Sequence, residues 1–474
     1  MKFSSNIKSA ITILTIIMAM LGCSKYTDIK TQGHLIPGSF QNYRYLLNGS
    51  SFINSGSTLI DYASDDVYYI DSSSQLKSWI SAGDYYAYAL NSYKWSDVIY
   101  PLNGNYYQDQ VWNNIYNVIT YANVVITEVP SVTDSSENAK QELIAEAKVH
   151  RADAYFNLVQ MYGKPYGNTS ATDPGVPLVL TETTTQSLVR ASVSNVYNQI
   201  IQDLKEAIPF LPKTQNLTIL PTTASAFGEL ARTYLYMGQL DSSNLYADSA
   251  LSINSHLIDL SIIDTVNAST YPIRINNPEL LLGKGIAYYN ISAYSPYAMR
   301  LSSSILNELG RKDLRYKYFT LGASTILYDN TDTVSRFFAL DRAIGESRNT
   351  GPSVPEMILI KAEYNARNNN PSEAMNWVNK LRIKRFKSAD YSPLTATDAA
   401  TALKIVIEER DREFFCRSIR WWDMRRLKDD PNFSETLTRT VNGVSYTLTP
   451  TSNRYVFPIS GYNIQLNPEI VPNP

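Results

Sequence analysis

The sequence predicts a mostly α-helical fold: a scaffold of about four helix pairs, with long irregular loops and minor β elements forming the other half. Three observations carry that reading. Apolar residues recur at steps of three and four over several segments. These segments come in pairs broken by Pro or Gly, as at Pro130, Gly163-Lys164-Pro165 and Gly238. Between the pairs lie aperiodic stretches rich in Ser, Asn, Thr, Gly and Tyr, at 31–107, 166–188 and 257–328. Loops of such length inside a domain usually carry function.

The first segment is an address. Lys2 and Lys8 precede the short apolar run 10–21, which together read as a secretory signal over residues 1–22. The tetrapeptide Leu21-Gly22-Cys23-Ser24 is similar to the lipobox of bacterial lipoproteins, which makes Cys23 the expected lipidation site. An ordinary signal peptide with a chance cysteine is the alternative. Cys416 is then the one remaining thiol, so no internal disulfide is expected. Just after the anchor only Asp28 is acidic, a weaker mark of surface exposure than the lipobox is of lipidation.

From residue 23 to 474 the chain reads as one domain. A loop-rich part spans 24–107, the helical scaffold occupies 108–255 and 354–428, a loop-rich insertion lies between at 256–353, and an extended tail runs over 429–474. In 111–129 the stripe is Ile115, Val118, Ile119, Ala122 and Val125. In 141–161 it is Leu143, Ala147, His150, Ala154, Leu158 and Met161. Val196, Ile200, Leu204 and Ile208 open a second group, followed by 222–237 and 241–253. There Ala231, Tyr234, Gly238, Ala247 and Ala250 approximate the small and aromatic positions of a tetratricopeptide repeat. Ala362, Asn369, Ala374 and Leu381 do so again in 355–385, with Pro371 where a helix would start. The tail holds a β-prone run, Val444-Ser445-Tyr446-Thr447-Leu448.

Composition narrows the function. A 44% hydrophobic, 18% charged chain is globular rather than disordered. A net charge of -2 leaves no basic excess for nucleic acid. Of the three histidines, His150 sits on an apolar stripe and reads as a packed core residue. Neither metal-ligand spacing, nor a phosphate loop, nor a Cys/His nucleophile arrangement is visible, so no cofactor and no metal are expected. Asp329-Asn330-Thr331-Asp332 lacks the glycine and closing glutamate of a calcium loop and reads as a turn. Tyrosine, at 35 residues, is the outlier, and flat amphipathic rings suit sugars and peptides. The loops concentrate them in two regions. One holds Trp95, Tyr100, Tyr106 and Tyr107. The other holds Tyr289, Asn290, Tyr294 and Tyr297, with Tyr328 further on. Trp95 stands out by size and polar flanks; for any single tyrosine, packing on its own loop is the competing reading.

Glu408-Glu409-Arg410-Asp411-Arg412-Glu413-Phe414-Phe415 followed by Arg420-Trp421-Trp422-Asp423-Met424-Arg425-Arg426-Leu427 resembles the signature of the SusD/RagB family. Cys416-Arg417-Ser418 departs from the family's usual glycine-containing link. Asp65-Asp66, Trp112-Asn113-Asn114-Ile115-Tyr116, Tyr162-Gly163-Lys164-Pro165-Tyr166 and the ending from Phe457-Pro458 to Asn467-Pro468-Glu469 match in order and spacing. The charges of the signature read as structural helix pairs rather than catalytic groups. The resemblance implies four tetratricopeptide-like helix pairs under an irregular ligand-binding half. It also implies a lipid-anchored, non-enzymatic outer-membrane protein that faces the cell surface and hands oligosaccharides to a SusC-like TonB-dependent transporter. A peptide-binding member of the family, a surface glycoside hydrolase and a purely protein-binding scaffold are the alternatives.

Overall fold

The computed structural model describes residues 38–183, 186–263, 271–288 and 295–473. Cys23 lies outside them. The helix Glu137–Tyr162 starts where Ser136 caps it, the Ser136 hydroxyl accepting from the Ala139 amide at 3.3 Å, and stops at Gly163. From Leu143 onward every side chain except Lys148 is buried, so this is a central helix rather than an amphipathic surface one. Its buried charges must therefore be paired within the protein. Arg151 donates to both Asp203 oxygens at 2.6 and 2.8 Å, and Glu146 accepts from Arg44 at 2.5 Å. Asp153 takes the Ser55 hydroxyl at 2.5 Å and faces Lys284 Nζ at 3.4 Å. Lys284 Nζ also lies 2.8 Å from a ring nitrogen of His150. Burial first, and then the Lys284 charge, hold that imidazole down at about 4, a neutral core histidine as expected.

Gln110–Glu128 and Val193–Ala207 pack on this central helix. Thr223–Tyr236 pairs with Leu240–Ile253 across Gly238, whose φ of 72° is a left-handed value that favours glycine at this tight turn. Val354–Arg367 pairs with Pro371–Arg382, and Ala399–Phe414 packs against both. Side-chain caps at Asp109, Ser192, Thr222, Asn370 and Asp398 start five of these helices. The fold is mostly α, and its long helices lie where the periodicity puts them. No helix among the described residues is long and apolar enough to cross a membrane.

The loop-rich stretches contain more structure than the sequence shows. Phe40–Leu47, Leu59–Ala63, Ser74–Ser81 and Ala87–Tyr93 are helices within 31–107, and Ser303–Leu309 and Leu314–Phe319 are helices within 257–328. Each makes one or two turns, too few for a period to be read. Such helices form only because the surrounding protein holds them. Asp329-Asn330-Thr331-Asp332 is the expected turn, Asp329 accepting from the Thr331 amide at 2.8 Å. The β-prone tail forms the hairpin Leu437–Val441 with Val444–Leu448, turning on Asn442-Gly443, both at positive φ. The parallel pairing of Asn54–Ser57 with Gly285–Tyr288 joins two segments more than 200 residues apart. A side chain at Gly285 would place its Cβ 2.1 Å from Arg274 Nη1 and 2.4 Å from Asn54 Oδ1, so both of those side chains would have to move to admit it.

The signature charges are structural. Arg410 binds Asp423 at 2.8 Å, Arg385 binds Glu413 and Glu279, and Arg315 binds Asp313, Glu409 and Glu413. Trp421 and Trp422 are core residues.

Glu229 is the most poorly paired of the buried acids among the described residues. Neither carboxyl oxygen has a hydrogen-bond partner, and Arg232 is 3.9 Å away. Burial raises the group from 4.5 to about 8, only partly offset by Arg232. A raised carboxyl contributes stability that is complete below its unfolded value of 4.5 and is lost as pH rises through about 8. Glu146 behaves oppositely: burial alone would raise it, but Arg44 and His150 hold it at about 2, so its contribution is present above 4.5 and lost on acidification through about 2. Burial raises Glu308 to about 8 and Asp66 well above its ordinary value, with the same sign, so Glu229→Gln is expected to reduce, not abolish, the loss of thermal stability between about pH 5 and pH 9. Melting curves across that range test it; an equally steep loss in the variant assigns the alkaline destabilisation to another group.

Candidate ligand-binding site

Two loop regions that are distant in sequence place their tyrosines together. Tyr86 stands at the start of the short helix Ala87–Tyr93, with φ 59° and ψ 25°. A left-handed backbone at a bulky aromatic residue is strained, and such strain persists only where neighbours over-determine it. Here three rings do so. Tyr85 packs edge-on against Tyr86 at 4.6 Å, Tyr297 edge-on at 4.7 Å, and Tyr106 stacks on it at 5.5 Å with 19° between the planes. Buried Tyr88 supports Tyr106 from below at 5.6 Å.

Tyr297 reaches this cluster because its backbone is pinned from the N-terminal part. The Tyr62 hydroxyl donates to the Tyr297 carbonyl at 2.7 Å. Gln75 Nε2 donates to the carbonyls of Pro296 and Ala298, each at 2.9 Å, and the Tyr69 hydroxyl donates to Ala298 O at 3.0 Å. The Tyr297 ring then sits edge-on to fully buried Trp79 at 5.7 Å. The result is an aromatic ladder from the core at Trp79, through Tyr297, Tyr86 and Tyr106, to Tyr85, which is 49% exposed. A hydrogen bond with Tyr85, then burial, push the Tyr106 hydroxyl well above its ordinary value, and burial raises that of Tyr297. Both remain neutral at physiological pH. The surface therefore offers ring faces and uncharged hydroxyls, which suits the C–H faces and hydroxyl rims of sugars.

Of the residues singled out in the sequence, Tyr106 and Tyr297 meet in this cluster. Tyr107 is 36% exposed and packs its ring 4.9 Å from Tyr462, not on the cluster. Tyr328 is 79% exposed and makes no ring contact with the cluster. Tyr289, Asn290 and Tyr294 lie outside the described residues. Two expectations are corrected. Trp95 is buried: its indole nitrogen donates to Ala63 O at 2.9 Å, and Arg439 lies 4.1 Å over its ring. Arg439 sits equally close over Tyr93, so Trp95 is one face of a clamp around a buried cation and has no face for a ligand. Tyr100 is also core, its hydroxyl donating to Asp109 at 3.0 Å. The polar residues around Trp95 in sequence disguised it, because neighbours in a loop do not predict which side chain turns inward. Missed were Tyr85 and Tyr86. Their signal was the density of Tyr85-Tyr86-Ala87-Tyr88 just after Gly83-Asp84.

Comparison with known proteins agrees with this architecture. A family described as "Starch-binding associating with outer membrane" matches residues 51–235, and one described as "SusD family" matches residues 354–474. The chain is 25% identical to SusD-like protein P2 of Formosa agariphila over 420 residues, covering 76% of this chain and 79% of that protein. A SusD-like protein of Bacteroides ovatus is 35% identical over 132 residues, 26% of this chain and 21% of that one. Among solved structures, a SusD superfamily protein from Bacteroides thetaiotaomicron superposes with a TM-score of 0.70 at 19% identity, over 92% of this chain and 100% of that one. A SusD-like carbohydrate binding protein from Bacteroides vulgatus does so with 0.68 at 17% identity, over 92% and 98%.

The corrected role of Trp95 is measurable. Trp95→Ala should cost about 3–5 kcal/mol of stability, as large-to-small changes of buried aromatics do. Chemical denaturation reads that loss; a variant as stable as the parent would return Trp95 to the ligand surface.

Proposed function

Because the chain belongs to the SusD/RagB family, we propose that it is a nutrient-binding protein that captures oligosaccharides by stacking them on the tyrosine cluster and performs no chemistry on them. The family description associates such proteins with the outer membrane. In this reading Cys23 carries the lipid anchor, the binding half faces the cell surface, and a SusC-like TonB-dependent transporter receives the ligand. The observation that carries the proposal is the exposed end of the aromatic ladder, where Tyr85, Tyr86, Tyr106 and Tyr297 converge from two loop regions. Backbone strain of this kind clusters at ligand-binding sites. The name of the Bacteroides vulgatus structure, a carbohydrate binding protein, points to the same ligand class.

The test is calorimetric titration of the chain from residue 24 against oligosaccharides and peptides, with Tyr86→Ala and Tyr106→Ala alongside. Binding of one glycan class is expected, weakened about tenfold by loss of either ring, which corresponds to about 1.4 kcal/mol. Heat from peptides alone assigns the chain to the peptide-binding alternative. Release of reducing ends from a polysaccharide by the pure protein overturns the absence of catalysis.

A further inference from the structure

Segments 62–69 and 297–302 run together as a ribbon. Val67 pairs with Leu301 in an antiparallel bridge, and the Tyr68 amide donates to Arg300 O at 3.0 Å. The Ser302 amide donates to Asp66 O at 2.7 Å. With the Tyr62 and Tyr69 hydroxyls on the carbonyls of Tyr297 and Ala298, this ribbon sets the position of the Tyr297 ring. Acidic side chains fasten it to the signature region. Asp66 Oδ2 accepts from the Cys416 amide at 2.8 Å, and Asp65 accepts from Arg420 Nε at 2.6 Å.

Four carboxyls meet at that junction: Asp65 and Asp66 from the ribbon, Asp411 from the helix Ala399–Phe414 and Glu308 from the helix Ser303–Leu309. The cations that face them do not balance them. Arg420 binds Asp65 and stands 3.6 Å from Asp411 Oδ2. Arg412 donates to the backbone carbonyl of Glu308 at 2.9 Å and pairs with Glu408 and Glu409 at 3.2 and 3.1 Å. Arg439 faces Asp65 from the hairpin, but its hydrogen bonds go to backbone carbonyls. Asp423 and Glu408 add negative charge beside Asp411 and Glu308. The Cys416 thiol and the Tyr455 hydroxyl, which face Asp66 and Asp65, are pushed up by burial and stay neutral.

Among the described residues no N–H or hydroxyl donates to Asp66 Oδ1, Asp411 Oδ1 or Glu308 Oε2, and all three atoms are buried. The Asp66 and Asp411 side chains instead hydrogen-bond one another. Two carboxyls make such a bond only while one of them keeps its proton. Burial, then the charges of Asp411 and Asp65, push Asp66 well above the carboxylate range. Burial also raises Asp411 to about 6, partly offset by Arg420, and burial with Asp411 raises Glu308 to about 8. Raised carboxyls contribute stability that is complete below their ordinary values of 3.8 and 4.5 and is lost as pH rises through about 6 and about 8.

We propose that this junction is a proton-dependent latch: its protonated carboxyls hold the ribbon, and with it Tyr297, on the signature helices, and their ionisation loosens it. The latch is a property of the fold around the tyrosine cluster and holds whatever the ligand is.

Hydrogen exchange read by mass spectrometry tests it at pH 6 and pH 9, with exchange times scaled to the intrinsic rate. Peptides covering 62–69 and 297–302 are compared with one from the central helix, 143–162, in the parent, Glu308→Gln and Asp411→Asn proteins. In the parent, protection of the ribbon is expected to fall about tenfold or more from pH 6 to pH 9, and that of the central helix to fall less. The fall in the ribbon is expected to be smaller in both variants. Ribbon protection that does not change with pH in the parent overturns the latch, whether or not the variants fold. An equal fall in ribbon and central helix also overturns it, because the whole fold is then weakening. So does a fall undiminished in either variant. These outcomes leave the ligand reading of the tyrosine cluster standing, since titration tests that separately.

Discussion

Fully buried arginines organise this protein. Arg232, Arg315, Arg348, Arg385, Arg410 and Arg425 are all among the largest side chains enclosed by the fold. A guanidinium keeps its charge at any ordinary pH, and removing it from water costs several kcal/mol, so each must be met by carboxylates or carbonyls inside the fold. Many of those partners come from far along the chain. Arg348 joins Asp61 and Asp341, Arg232 joins Glu356, and Arg385 joins Glu413, Glu279 and Ile258 O. Loops that lack a periodic apolar face are thereby attached to the helical scaffold at points. Amides of the signature link contribute too, Cys416 N donating to Asp66 and Ser418 N to Asp61.

Arg439 carries that logic toward the tyrosine cluster. It reaches from the C-terminal hairpin to the carbonyls of Tyr62, Tyr93, Ser64 and Val67, with no carboxylate among these acceptors. Burial lowers it to about 10, partly offset by Tyr93 and Asp65. Two aromatic faces, Tyr93 and Trp95, complete its surroundings. The same N-terminal segment supplies Tyr62, Tyr69 and Gln75, which hold the 296–298 backbone. A chain of constraints thus runs from a buried cation to the position of Tyr297 beside Tyr86. The strained backbone of Tyr86 is affordable because packing on every side opposes its relaxation.

The long helices were legible because each buries a stripe whose period survives in the sequence; Ile115, Val118, Ile119 and Ala122 could be placed on one face without any structure. That the signature charges are structural was legible, but their partners were not: within 408–413 Arg412 pairs at helix spacing with Glu408 and Glu409, whereas Glu409, Arg410 and Glu413 are met by residues of other elements. Short helices such as Leu59–Ala63 were not legible, because five residues hold barely more than one turn. The candidate site was half legible. The two tyrosine-rich regions were identified, and Tyr106 and Tyr297 prove to be neighbours of the same ring, Tyr86. The choice of Trp95 over Tyr86 failed because composition shows how much aromatic surface a loop has, not which ring faces out.

By itself the sequence determined the helical class, the order of the paired helices, the family signature and the aromatic richness of two loop regions. All of these are local or periodic properties, written in neighbouring residues. Tertiary structure alone decided which tyrosines form a surface and which fill the core. Those outcomes depend on contacts such as Gln75 with the 296–298 backbone and Arg439 with the 62–67 carbonyls, between residues hundreds of positions apart. No local pattern encodes such pairings, because they follow from how separately formed elements satisfy one another's buried charges and hydrogen bonds.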